Sequence, residues 1–391
     1  MSKVKTYQYL TWAEIDLKAA AHNFRQLEKL AQQHSLVGKR GRAPKPGALG
    51  LRLLPVIKAD AYGHGMLAFA QLLTRLGADF LAVSDVPEGL VLRQKGVAVP
   101  ILLLEATLPT HVRVIVENDL TPSVCTWELA TAFSRVGRQL CRTVKVHMKV
   151  DTGMSRLGVA CGQAKDFIKK VAALPNIVVE GVFSHFPVAD SDAAFTRQQI
   201  GCLATLLDEL RREGITVPYV HAANSMGLSH YRHDIFTLAR PGLMLYGLYP
   251  AETVKKKLLL KPVMSVKTRI IFLKEVEKGR GISYGHTFVA LRRMKIATLP
   301  IGYSDGFLRC LSNKATVLVA GKRCPLVGRV TMDQIMVDVS AVPAVRVGQE
   351  VVIIGRQKGQ EITADDVAAA AGTINYEIAC SLGNRLVRVY R

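Results

Sequence analysis

The sequence predicts an α/β protein: a (β/α)8 barrel followed by a mostly β C-terminal domain. Three observations carry that prediction. Eight short apolar runs are each followed by a helix-like segment, the pattern changes after about Pro262 to alternating strands with little helix, and unusual polar residues recur where the apolar runs end. At 391 residues the chain is long enough for two domains, one of them a large barrel.

A helical pattern over residues 16–33 comes first. The apolar runs follow at 54–57, 80–83, 101–104, 122–124, 144–150, 178–183, 219–223 and 238–245. Helical spacing fills the gaps, for example at 66–76, 88–96, 128–136 and 164–174, and longest at 192–212. Strand and helix alternating in this way imply parallel strands joined by right-handed crossovers, and eight of them suggest closure. An open doubly wound sheet is the alternative, but the chain has no Gly-rich dinucleotide loop. The second domain reads as strands at 263–276, 296–301, 316–320, 329–339 and 350–354, with a helix at 365–371 capped by Thr363 and Asp366. The expected division is 1–260 for the barrel and 261–391 for the β domain. Residues 37–47 read as a flexible basic loop.

Composition narrows the function classes. A hydrophobic fraction of 49% is that of a globular protein. No apolar run is long enough to span a bilayer and the first residues lack a signal peptide's apolar core, so a cytoplasmic protein without membrane contact is expected. Seven scattered cysteines without a C-x-x-C pair read as reduced thiols, mostly core filler, with no metal site. The net charge of +21 lacks the aromatic-interleaved basic motif of a nucleic-acid binder, so no nucleic-acid partner is expected.

Barrels of this class assemble their chemistry at the carboxyl ends of the strands. There the sequence puts Lys58 and Tyr62 after run one, Lys149 and Arg156 after run five, and His185 after run six. His221, Asn224 and Ser225 follow run seven, and Arg240, Gly242 and Leu243 lie on run eight. Ser225 with the amides of Gly242 and Leu243 occupies the usual phosphate position of such barrels. A lysine half desolvated at a strand end has a lowered pKa and an amine free for Schiff-base chemistry. Facing a phosphate cradle across the barrel mouth, it is what pyridoxal 5′-phosphate needs.

These residues and their neighbours resemble the alanine racemases over nearly the whole chain. The resemblance rests on residues 58–65, 149–158, His185-Phe186, 221–225, Arg240-Pro241-Gly242, Ser283-Tyr284-Gly285, 302–306, 327–334 and Asn375-Tyr376-Glu377. It implies a pyridoxal-phosphate enzyme that interconverts L- and D-alanine, its small-molecule substrates, as a homodimer with shared active sites, supplying D-alanine for peptidoglycan. Lys58 would carry the cofactor and act as base on one face of Cα, and Tyr284 of the partner subunit would be the base on the other, helped by His185. Arg240 would face the pyridine nitrogen, with His221 holding it. Tyr62, Asn224, Ser225, Gly242, Leu243 and Tyr376 carry over as cofactor contacts. Arg156 would approach the cofactor and the substrate carboxylate, and Met332 of the partner subunit would bind that carboxylate. Tyr303, Arg309, Tyr376 and Asp333 belong to the entrance or its surroundings, and retention of Tyr376 favours alanine over serine. Lys149 matches a lysine that many relatives carry as a carbamate; an ordinary lysine paired with Asp151 is the other reading. A serine or broader-specificity racemase, or a non-catalytic pyridoxal-phosphate barrel, are the alternatives.

Overall fold

The computed structural model describes residues 9–35, 50–383 and 385–391; the basic loop expected at 37–47 lies outside them. The described chain divides into two compact units, and two segments depart from a single cut after residue 260. Residues 9–20 and Tyr62–Gly65 belong with Lys261–Arg391, while Ala21–Ala61 and Met66–Leu260 form the barrel unit.

In the barrel unit the strands are Arg52–Leu53, Leu81–Val83, Ile101–Leu103, Ser123–Val124, Val144–Asp151, Ile177–Phe183, Tyr219–His221 and Leu238–Ala239. All named pairings between them are parallel. Bridges Val56↔Ala82 and Leu102↔Thr121 join strand one to two and three to four. Thr237 and Arg240 donate to Val220 O and Ala223 O, joining seven to eight, and eight pairs with one, so the sheet closes as a (β/α)8 barrel. The first strand starts earlier than the apolar run because Arg52 and Leu53 make the ladder to strand eight; Leu54 N–H continues it to Ala239 O, and Leu54 and Ile57 are buried. Residues such as Leu81, Val83, Ile101, Val146 and Val182 are buried, as both-face packing of a parallel strand requires.

Helices fill the crossovers, with starts legible in their caps: Asp85 accepts from Glu88 N–H, Thr126 from Leu129 N–H and Asp192 from Phe195 N–H. Some short helices escaped the sequence pattern, among them Val112–Glu117 of six residues and Glu252–Lys255 of four. Cys161 and Cys202 form a disulfide between Cys161–Ala172 and Ala193–Arg212, correcting the expectation of seven reduced thiols. Pairing across 41 residues depends on two helices packing together, which residue spacing does not report. Of the others, Cys324 is buried as core filler would be and Cys125 is half-buried, but Cys141, Cys310 and Cys380 are exposed.

In the other unit a mixed sheet runs Lys322–Pro325, Thr316–Val319, Glu350–Gln357, Met264–Arg269, Thr11–Ile15, Val387–Tyr390. Thr11–Ile15 is antiparallel to Met264–Arg269 and parallel to Val387–Tyr390, which explains why the N-terminal strand leaves the barrel. A second sheet of Phe272–Val276, Met294–Leu299 and Ile335–Asp338 packs Val276, Met294 and Ile296 with Ile282 and Val327. The helix Ala364–Ala371 has the expected capping box of Thr363 and Asp366. Among the described residues no helix is long and apolar enough to cross a membrane.

Candidate active site

Lys58 follows the first barrel strand, on backbone held from both sides: Val56 N–H donates to Pro241 O and Ile57 N–H to Ala82 O, both at 2.9 Å. Barrel closure therefore puts Lys58 beside the Pro241-Gly242 turn, not across the mouth from it as expected. Ala59, Asp60, Ala61 and Tyr62 then have φ of 52°, 52°, 54° and 53°, a left-handed turn made without glycine. Each such residue costs about 1–2 kcal/mol, and strain of this kind persists where surrounding contacts over-determine it. Glu88 supplies two of those contacts, accepting from Ala59 N–H at 2.6 Å and from Ser84 N–H at 2.7 Å. Burial raises its carboxyl above the ordinary range, opposed by these amides. Asp60 Oδ1 accepts from Met66 N–H at 2.8 Å.

Arg240 is 4% exposed, and its acceptors among the described residues are all neutral. Its guanidinium donates to His221 Nδ1 at 2.6 Å, Ser184 O at 2.7 Å, Ala222 O at 3.2 Å and His185 Nδ1 at 3.2 Å, and it lies 5.4 Å from the centre of the Phe183 ring. Burial alone lowers its pKa to about 9. The expected contact with His221 is present, and His221 in turn meets His147, a residue that the strand-end pattern does not single out.

Lys149 is buried, with Nζ 4.8 Å from the Phe183 ring centre. Burial, then Arg240 and Arg156, bring its pKa to about 7. No ion pair joins it to Asp151 among the described residues; Asp151 Oδ1 instead accepts from the amides of Gly153, Met154 and Ser155, shaping the turn toward exposed Arg156. His185 is depressed to about 3 by burial, then by Arg240, Lys149, Arg156 and Lys58, so the barrel-mouth cations converge on one neutral imidazole. Gln199, which no sequence pattern marks, donates to Thr152 Oγ1 at 3.0 Å and His185 O at 3.1 Å, tying the ends of strands five and six.

Ser225 Oγ accepts from Gly242 N–H at 3.2 Å and Met244 N–H at 3.5 Å, while Leu243 is buried in the same turn. Asn224 braces the backbone here, since its Oδ1 accepts from Gly227 N–H at 2.9 Å and its Nδ2 donates to Phe186 O at 3.4 Å. Strands seven, eight and one thus bring a hydroxyl, a turn of amides and a lysine to neighbouring positions. Among the described residues no group of three or more His, Cys, Asp or Glu side chains is placed to hold a metal.

In the other unit Tyr62 and Tyr376 lie with ring centroids 6.2 Å apart. Burial, then Tyr376 and Cys380, raise the Tyr62 hydroxyl well above its usual pKa. Tyr284 is 72% exposed, between Ser283 at φ 64° and Gly285 at φ 68°. Met332 is 54% and Tyr303 43% exposed, and Arg309 is exposed as well. The Met332 carbonyl accepts from Ser304 N–H at 3.0 Å and Oγ at 2.7 Å, and Asp333 pairs with Arg385 at 2.8 Å. The strand expected at 329–339 is paired only over Ile335–Asp338, because a turn closed by Thr331 N–H to Gln334 O presents Met332 and Asp333.

Both units match known proteins. The family described as alanine racemase, N-terminal domain, matches residues 15–250, and alanine racemase, C-terminal domain, matches 263–390. An alanine racemase of Halothermothrix orenii is 44% identical over 382 residues, 97% of each chain. The solved structure of an alanine racemase from Clostridium difficile 630 superposes with a TM-score of 0.89 at 35% identity, covering 98% of this chain and 96% of that one. An alanine racemase from Bacillus anthracis with bound L-Ala-P gives 0.87 at 34% identity, covering 98% and 95%. With a closed barrel, a lysine-bearing rim and relatives matched along both units, the chain belongs to the alanine racemase family of isomerases.

Proposed function

We propose that this enzyme interconverts L- and D-alanine using pyridoxal 5′-phosphate and two bases, Lys58 and Tyr284 of the partner subunit. The observation that carries the reading is Arg240, a buried cation with no anion paired to it among the described residues. Such a group suits a neutral aromatic nitrogen as acceptor, since its donors are fixed and its proton is not given up. The neighbouring groups fit the same cofactor: Lys58 for its carbonyl carbon and, where the first strand's end is bonded to Pro241 O, the Ser225 hydroxyl and Gly242 amide turn for a phosphate.

When bound, the cofactor supplies a carbonyl for the amino group and withdraws electron density from Cα. Lys58 holds the cofactor and, released by the incoming amino acid, takes or returns the Cα proton on one face. Tyr284 of the partner subunit does the same on the other face, because inversion requires removal from one side and return on the opposite one. Arg240 keeps its proton, so the ring nitrogen stays unprotonated and proton return at Cα is favoured over transamination. Arg156 and the Met332 amide of the partner subunit bind the substrate carboxylate, and Tyr303, Arg309 and Tyr376 narrow the entrance to a small side chain such as alanine's. Strong exposure of Tyr284 and Met332 supports a homodimer in which a second copy covers them.

The depressed pKa of Lys149 and the engagement of Asp151 elsewhere favour a carbamate over a simple ion pair. Its neutral amine adds to carbon dioxide and loses a proton, and the resulting anion fixes Arg156. Cytoplasmic D-alanine made in this way would serve peptidoglycan synthesis, as the resemblance implies.

Borohydride trapping of the yellow protein followed by peptide mapping tests the reading. The label is expected on Lys58, and Lys58→Ala should lower racemisation in both directions by more than about a thousandfold. A label on any other lysine overturns the assignment.

A further inference from the structure

Behind Arg240 the barrel interior holds a polar column whose hydrogen positions follow from chemistry. The guanidinium only donates, so His221 Nδ1, 2.6 Å away, is the nitrogen without hydrogen. Its hydrogen therefore sits on Nε2, 2.8 Å from His147 Nδ1, which must accept. His147 in turn carries its hydrogen on Nε2, which has no partner within hydrogen-bond distance among the described residues and faces the Glu180 carboxylate at 3.6 Å. Glu180 also holds Lys145 at 3.1 Å, on the strand's exposed side.

The rings are fixed by packing. Phe183 stacks on His221 with centroids 4.8 Å apart at 10°, and Tyr219 on His147 at 6.1 Å and 23°. His147 pairs in register with Gly181, where a Cβ would lie 2.4 Å from His147 Nδ1, so only glycine leaves room for the imidazole. Burial lowers the pKa of both histidines, in His147 against the Glu180 carboxylate, with Arg240 acting in the same direction as burial on each.

We infer that His147 and Glu180 are positioning residues for Arg240, locking His221 in the Nε2–H tautomer so that its Nδ1 always accepts from the guanidinium. The other tautomer would set two donors against each other at 2.6 Å in a buried site and turn Arg240 away. This inference rests on the reading of Arg240 as the donor to the cofactor ring.

The test is long-range proton–nitrogen NMR on full-length protein labelled at histidine, measured with and without cofactor. His221 and His147 are both expected as Nε2–H tautomers; Nδ1–H or averaged shifts at His221 overturn the inference even if no variant folds. His147→Asn, whose amide oxygen can replace Nδ1 as acceptor, should retain the His221 tautomer and nearly normal turnover. His147→Phe should lose that tautomer and lower kcat about ten- to a hundredfold with KM little changed. A fall in kcat with the His221 tautomer intact leaves only a structural role and overturns the inference. Glu180→Leu, which takes the carboxylate away from His147 Nε2–H, should loosen the lock and raise a minor Nδ1–H population at His221; an unchanged His221 tautomer removes Glu180 from the device. The nitrogen shifts do not depend on turnover, so an inactive wild-type protein with the expected tautomers would sink the racemase reading and leave the column standing.

Discussion

In the barrel unit Lys149, His147, His221 and Arg240 are buried and shift one another's protonation, while in the other unit Tyr284, Tyr303 and Met332 stand on the surface. Buried charge without compensation is costly, so the barrel has been forced to arrange its own partners: neutral acceptors around Arg240 and an aromatic face beneath Lys149. Tyr284 has no such surroundings within one chain, although its turn holds Ser283 at φ 64°. In the proposed reaction, one half of the chemistry would be preorganised within a single chain and the other half displayed for a second copy.

The largest break in that contrast is expected at Tyr284. Tyr284→Phe should slow proton removal from one enantiomer about a hundred- to ten-thousandfold, with far less effect on removal from the other, read as deuterium entry from solvent. Equal losses for both enantiomers would end the two-base assignment. Mixing Lys58→Ala with Tyr284→Phe protein should restore part of the activity through heterodimers, and no recovery despite demonstrated subunit exchange argues against a shared site.

Lys149 sharpens the comparison at an intermediate level, because burial, then Arg240 and Arg156, bring its pKa to about 7. The neutral, carbon-dioxide-reactive fraction grows as pH rises through that value and shrinks below it. A carbamate carbon resonance from labelled bicarbonate should therefore strengthen between about pH 6 and 8 and vanish in Lys149→Met. No resonance at pH 8 under saturating bicarbonate would leave an unmodified amine.

The smallest effect is expected at Glu88. Glu88→Gln keeps one acceptor oxygen but turns an amide donor toward one of two backbone N–H groups, at a cost of about 1–3 kcal/mol. That corresponds to a drop in Tm of about 2 °C or more for a unit of this size, measured by calorimetry. An unchanged Tm would show that the carboxylate does not hold the Lys58 turn.

Much of the molecule is legible in its sequence, and the gaps have physical causes. Apolar runs followed by helical spacing report the barrel because each strand and its crossover are local. Thr11–Ile15 gives no sign of belonging to the second unit's sheet because its partners are residues 264–268 and 387–390, far along the chain. Lys58, His185, His221 and Arg240 stand out because they lie at strand ends. His147 and Glu180 lie deeper, before those ends, although His147 two residues ahead of Lys149 on one strand is an available signal. Little in Ala59-Asp60-Ala61-Tyr62 announces a left-handed turn, since alanine and tyrosine disfavour it and only Asp60 is of a type that visits it.

That turn has a consequence for chirality. Four successive residues beside the proposed cofactor lysine adopt the backbone region natural to mirror-image amino acids. A D-alanine built into position 59 or 61 by chemical synthesis would sit there without the steric penalty that the encoded L-residue carries. A protein proposed to make D-alanine thus holds, in its own backbone, sites better shaped for that product than for the residue translation supplies.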